Sequence, residues 1–219
     1  MTAPGTRRDA AEPPPSRTPL VVGVVVALVL VAGLVAWFVT RSSDGGDAAE
    51  APVFGEVSVE GEALPVLAEG ADPSTDPVVG TPAPVVSGTD FAGAPVTLAS
   101  GGEPTVVIFL AHWCPHCQRE VPVVQQWLDD GGLPEGTQIL SVATGQDPTL
   151  PNFPPATWLE EEGWTPPVLV DDESRTAATA FGLTSFPFWV FLDSAGNVAA
   201  RASGELDPVQ VGEFLASLP

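Results

Sequence analysis

Both cysteines and both histidines of this 219-residue chain fall within the run AHWCPHC, residues 111–117. Cys114 and Cys117 stand in a C-x-x-C pair, with Pro115 and His116 between them and Trp113 just before. Three chemistries use such a cluster: reversible disulfide exchange, soft-metal ligation and a structural disulfide. With two cysteines in all, an internal bond must join Cys114 to Cys117. That loop is too short to gain much as a staple. A tetrahedral zinc site drawn from Cys114, Cys117, His112 and His116 needs four ligands from six residues stiffened by proline, with no second ligand pair elsewhere. A carrier of Cu(I) on two exported thiolates stays open as the alternative, together with zinc. Covalent haem needs C-x-x-C-H, and Gln118 occupies the fifth place.

Disulfide exchange requires a sulfur that ionises readily and a second sulfur within reach. The elements around the motif can supply both. TVVIFLA (105–111) is an unbroken β-branched and aromatic run, the mark of a strand buried on both faces. A helix predicted from the cysteines to about Asp130 carries Val121, Val124, Trp127 and Leu128 on one stripe, contains Pro122, and ends at Gly131-Gly132. Cys114 then sits at the helix N-terminus, at the carboxyl edge of a central strand, where open α/β sheets collect their chemistry. The partial positive charge there favours a thiolate, so Cys114 is expected to be the exposed attacking sulfur. Cys117, almost one turn on, resolves the mixed disulfide. Pro115 suits the first helical position, which needs no N–H partner. His116, as imidazolium, would add positive charge beside the thiolate and favour an oxidising couple.

Further along, QILSVAT (138–144), PVLVDD (167–172) and FWVFLD (188–193) read as strands, and VAARAS as the hairpin partner of the last. PATWLEEEG (155–163), ESRTAATAFG and DPVQVGEFLASL (207–218) read as helices, the last with Asp207 as N-cap and Pro208 in first place. PVVSGTDFAGAPVTLAS adds two leading strands around a turn at 92–93. The order implies an α/β domain: a central mixed sheet flanked by helices, preceded by a β-hairpin extension. Trp158 and Trp164 are expected to pack, and His112 to lie on the surface.

The remainder places the domain. Residues 20–39, LVVGVVVALVLVAGLVAWFV, are uncharged and long enough to span a bilayer as one helix. They exceed the core of a removable signal peptide, roughly 7–15 residues. Arg7, Arg8 and Arg17 precede this run and only Arg41 follows before Arg119, so the N-terminus is expected in the cytoplasm and the rest outside. The expected division is a disordered tail (1–19), a transmembrane helix (20–39), an acidic Gly/Pro-rich linker (40–78) and the folded domain (79–219). Within the linker, VFGEVSVEGEALPVL could form an edge hairpin of its own. With 28 acids against 7 bases, a net charge of −21, the chain lacks the basic footprint of a nucleic-acid binder. Anionic lipid would repel it, so membrane attachment must come from the apolar run.

VGTPAPVV…GAPVTL, TVVIFLAHWCPHCQREVP with its ExP, and PVLVDDESRTAATAFGLTSFPFWVFLDSAGNV agree in order with one family. Over about residues 79–219 the chain resembles the TlpA/ResA-like membrane-anchored, thioredoxin-fold thiol-disulfide oxidoreductases. The resemblance implies a thioredoxin fold, protein thiols and disulfides as partners, a membrane redox partner, no cofactor, and roles such as cytochrome c maturation. It implies a cis peptide bond at Pro187, facing Cys114 and presenting the Phe186 backbone to an extended substrate. Trp113, Pro115 and Phe186 would line the substrate contact, and Glu120 would assist proton transfer. Pro115-His116 is shared instead with a periplasmic oxidase branch, whose inserted helical domain does not fit between Cys117 and Pro187. Phe186 is bulkier than is usual before that proline. Oxidant and reductant both remain open.

Overall fold

The structure, a computed structural model, describes residues 54–218 apart from 69, 72, 99 and 100. The N-terminal tail, the apolar run 20–39 and the start of the linker lie outside the described residues. Among the described residues no helix is long and apolar enough to cross a membrane.

The run read as a doubly buried strand is β4 (Thr105–Leu110), whose six residues are all buried. It lies at the centre of a five-stranded sheet of order β6-β5-β4-β7-β8, with β5 (Gln138–Ala143), β6 (Val168–Val170), β7 (Phe188–Leu192) and β8 (Val198–Ser203). β4 pairs parallel with β5 and antiparallel with β7, giving the mixed sheet expected. Its side chains alternate between two cores. Val107 and Phe109 join Leu140, Val142, Phe181, Phe188 and Val190 on one face. Val106, Ile108 and Leu110 join Ile139, Trp189 and Phe191 on the other.

That second face is covered by α1 (Pro115–Asp129) through Val121 and Val124, by α2 (Pro155–Glu161) through Trp158 and Leu159, and by α4 (Pro208–Ala216) through Val211 and Leu215. The first face receives α3 (Thr176–Ala180) through Ala177, Ala178 and Ala180. Asp207 caps α4 as predicted: its carboxylate accepts the Gln210 N–H, and the Gln210 side chain accepts the Asp207 N–H.

A second sheet of order β1-β2-β3 (Ser58–Glu60, Val85–Thr89, Pro95–Leu98) brings Val86 and Leu98 onto the first face. The strand in the 54–68 region does not fold back on itself. β1 pairs antiparallel with β2, Val59 opposite Val86. The described residues of the 54–78 segment are thus part of the folded body rather than linker. Leu64, Leu67 and Val78 are buried, Gly55 N–H donates to the Asp171 carbonyl, and Asp76 is ion-paired with the buried Arg201. Proline and glycine between these few buried residues give the segment the composition of a tether, although its apolar side chains close the first core.

Candidate active site

β4 delivers the motif to the sheet edge, and Cys114 follows as the N-cap of α1 with extended backbone (φ −75°, ψ 119°). Its own N–H is held by the Ala111 carbonyl, and its carbonyl accepts the Gln118 N–H. No side-chain cap bond is made there, so the first-turn amides are not satisfied by a capping side chain. Cys114 is only 5% exposed, less open than its position suggested. It packs in the second core beside the half-buried Trp113 and Phe186. Its Sγ lies 3.7 Å from the Phe186 carbonyl oxygen. The Phe186–Pro187 peptide is cis.

Cys117 lies beneath, with no exposed surface, and its Sγ accepts the Ala111 N–H at 3.5 Å. Both cysteines are free thiols. Burial pushes the Cys117 thiol well above the ordinary range; the Ala111 N–H partly opposes this, while Cys114 and Glu120 add to it. Glu120 is not a solvated first-turn acid. It is 3% exposed, and its Oε1 accepts the Leu206 N–H at 2.9 Å. Burial raises its carboxyl to about 7, against the Leu206 bond and with help from the charges of Glu205 and Asp207.

Trp113 and Phe186 meet edge to face with ring centroids 5.7 Å apart. The Trp113 indole N–H donates to the Gly145 carbonyl at 2.6 Å. Gly145 has φ +62°, and a β-carbon there would meet the Phe186 ring at 3.3 Å, so the aromatic pair needs glycine beneath it. Beyond Trp113 opens a groove of about 490 Å³, lined in part by Phe54, Asp147, Leu150 and Glu173.

His112 overturns its surface reading. It is 1% exposed, its Nε2 accepts the Asp147 N–H, and its Nδ1–H donates to the Pro151 carbonyl at 2.6 Å. Burial holds it below the ordinary histidine range and so neutral, which leaves one nitrogen to donate and the other to accept. Gln118 and Asn152 both donate to its carbonyl. The ring sits edge-on to Phe153, whose bond to Pro154 is a second cis peptide. His112 thereby fastens the loop 145–154 to the motif; one isolated histidine in a sequence carries no periodicity that would show this.

His116 is exposed and points away from His112's partners, into a cluster with Arg119 and Glu205. With both His112 nitrogens engaged and His116 turned to Glu205, the four residues of the motif do not converge. Among the described residues no group of three or more His, Cys, Asp or Glu side chains is placed to hold a metal. Glu205 was missed by sequence reasoning: 89 residues separate it from His116, and only the β7-β8-α4 path brings it near.

A central β4 leading into a C-x-x-C helix, faced by a cis-proline before β7, defines a thiol-disulfide oxidoreductase of the thioredoxin fold. The comparisons agree. The AhpC/TSA family model matches residues 79–201, and the chain belongs to that family. Among solved structures it is similar to DsbF of Mycobacterium tuberculosis, at 26% identity over 61% of this chain and 94% of that one, TM-score 0.50. It shares its fold with a candidate DsbE thiol:disulfide interchange protein from Chlorobium tepidum (19% identity, 64% and 96% covered, TM-score 0.52). A secreted disulfide oxidoreductase of Mycobacterium tuberculosis also shares it (19% identity, 60% and 95% covered, TM-score 0.50).

Proposed function

We propose that the chain is an extracytoplasmic thiol-disulfide oxidoreductase of the TlpA-like kind, tethered by residues 20–39, exchanging disulfides with protein substrates through Cys114 and Cys117. The observation that carries this reading is the asymmetry of the two sulfurs. Cys114, 5% exposed, caps a helix beside the backbone carbonyl of Phe186, while Cys117, with no exposed surface, is a high-lying thiol.

In the reducing direction, the Cys114 thiolate attacks one sulfur of a substrate disulfide. The substrate S–S bond breaks, a mixed disulfide forms, and one substrate thiolate leaves with a proton from solvent. Cys117 then loses its proton and attacks Cys114 Sγ, which releases the second substrate thiol and leaves the 114–117 disulfide. Two electrons and two protons have passed to the substrate; the oxidising direction is the reverse. Glu120, buried on the same helix and poised near neutrality, is suited to take the Cys117 proton. Trp113, Pro115 and Phe186 form the face on which the substrate chain would lie. The redox partner sets the direction of net flow; a membrane partner, and a role such as cytochrome c maturation, fit the tether.

Full-length protein should accelerate dithiol-driven reduction of a model protein disulfide, and Cys114→Ser should abolish the acceleration. Equal activity in the variant would end this reading. The tether is tested separately: full-length chain should sediment with membranes and a chain lacking residues 1–39 should not.

A further inference from the structure

Three successive residues after β8 touch three parts of the site. Gly204 N–H donates to the Pro187 carbonyl at 2.8 Å. Leu206 N–H donates to Glu120 Oε1 at 2.9 Å. Between them, Glu205 receives His116 Nδ1 on Oε1 at 2.6 Å, Arg119 Nη2 on the same oxygen at 2.5 Å, and Arg119 Nε on Oε2 at 3.4 Å. Arg119 Nη2 also lies 2.8 Å from His116 Nδ1. A protonated His116 donates to Glu205, and a neutral one accepts from Arg119, so the ring has a partner in the cluster in either state.

We infer that Glu205 is a positioning residue for the redox pair: it gathers His116 and Arg119 beside the first turn of α1, cancels part of their charge, and holds the 114–117 reduction potential below the value those two residues would set alone. This rests on the reading of Cys114 and Cys117 as a redox couple, disulfide plus two electrons and two protons giving the dithiol.

The sign follows from counting charge near the thiolate. With His116 charged, the cluster of His116, Arg119 and Glu205 carries one net positive charge, and two once Glu205 is neutralised. With His116 neutral, the counts are zero and one. Arg119 is within electrostatic reach of the Cys114 sulfur, so added positive charge stabilises the thiolate and hence the reduced pair. The compensating case is loss of the His116 proton together with the Glu205 charge, which leaves the sum unchanged. Removing the imidazole eliminates that case. The other acids near this end of α1, Glu120 and Asp207, are the same in every variant compared.

The test is the equilibrium constant of the full-length protein against a glutathione redox buffer, read by thiol alkylation. In a His116→Ala background, adding Glu205→Gln should shift it at least threefold toward a more oxidising pair at low ionic strength, which is about 14 mV for a two-electron couple. The side chains of the cluster are 37–58% exposed, so more than half of that shift should disappear at 1 M salt. Glu205→Asp, which keeps the charge, should stay within a factor of two of the parent. No shift, a shift toward a more reducing pair, or one indifferent to salt would overturn the inference. If the parent exchanges disulfides normally but its equilibrium ignores position 205, only this inference fails; if the parent pair does not exchange at all, the proposed function fails with it.

Discussion

Glu120 shows how one residue's surroundings change its chemistry. Four residues earlier on the same helix, His116 is in solvent; Glu120 is sealed under the Leu206 backbone. Its folded-state carboxyl stands near 7 against an ordinary 4.5, chiefly through burial. The folded chain therefore binds that proton more tightly than the unfolded chain does. Its stabilising contribution is complete below 4.5 and is lost as pH rises through 7. A displacement of that size corresponds to about 3 kcal/mol. Glu120→Gln keeps the acceptor for Leu206 N–H and cannot ionise. Urea unfolding should find the variant close to the parent at pH 4 and about 3 kcal/mol more stable at pH 8.5. A gap independent of pH would refute this account of Glu120. The family resemblance singled the residue out. It could not tell a buried acid from a solvated one, because the covering backbone comes from residue 206. His112 was misread for the same reason, its partners lying in the loop 145–154.

At the scale of elements, legibility followed local pattern. The β-branched run of β4, the capped α4 and the glycine-terminated α1 stand where sequence placed them, because each is specified by its own residues. α3 is different. It is five residues long, its N-cap Arg175 is left-handed at φ +58°, and that residue makes no side-chain cap. Its free amides are met from the end of β6. Asp171, 1% exposed, accepts from Ala177 and Ala178 N–H, from Asp172 N–H and from the Thr144 hydroxyl. Asp172 accepts from Thr176 N–H. The sequence VDDES shows three acids before the helix, Asp171, Asp172 and Glu173, but not that the first is the buried hub. Asp171→Ala would strand three amides and a hydroxyl in the interior, for a loss of about 3 kcal/mol. Asp171→Asn, retaining one oxygen, should lose less. Denaturant midpoints measure both, and an alanine variant as stable as the parent would mean that water reaches those amides.

Over the whole folded body, the 54–78 segment and the sheet are joined by one buried ion pair. Arg201 Nε and Nη2 fork onto the two oxygens of Asp76 at 2.7 and 2.9 Å, and its Nη1 donates to the carbonyls of Pro65 and Phe181. The two side chains are 1% and 0% exposed. A lone arginine inside VAARAS demanded a carboxylate, yet any of 28 acids could have answered. Only the folded chain selects one 125 residues away, within a stretch that composition assigns to linker. Burial by itself would raise the Asp76 carboxyl. The Arg201 and Val78 hydrogen bonds and the guanidinium charge outweigh burial and hold it below the ordinary range. Its contribution is thus present above the unfolded value of 3.8 and is lost as pH falls through the folded one. Removing one partner leaves an uncompensated buried charge, so Asp76→Ala and Arg201→Met should each destabilise by about 3–5 kcal/mol, whereas replacing both with apolar residues should recover much of that loss. A double-mutant cycle in urea tests this at neutral pH. Single losses that simply add would mean that the two groups do not act as a pair, and the segment would then be held by its β1–β2 pairing, its backbone bonds to the rest of the body and the burial of Leu64, Leu67 and Val78.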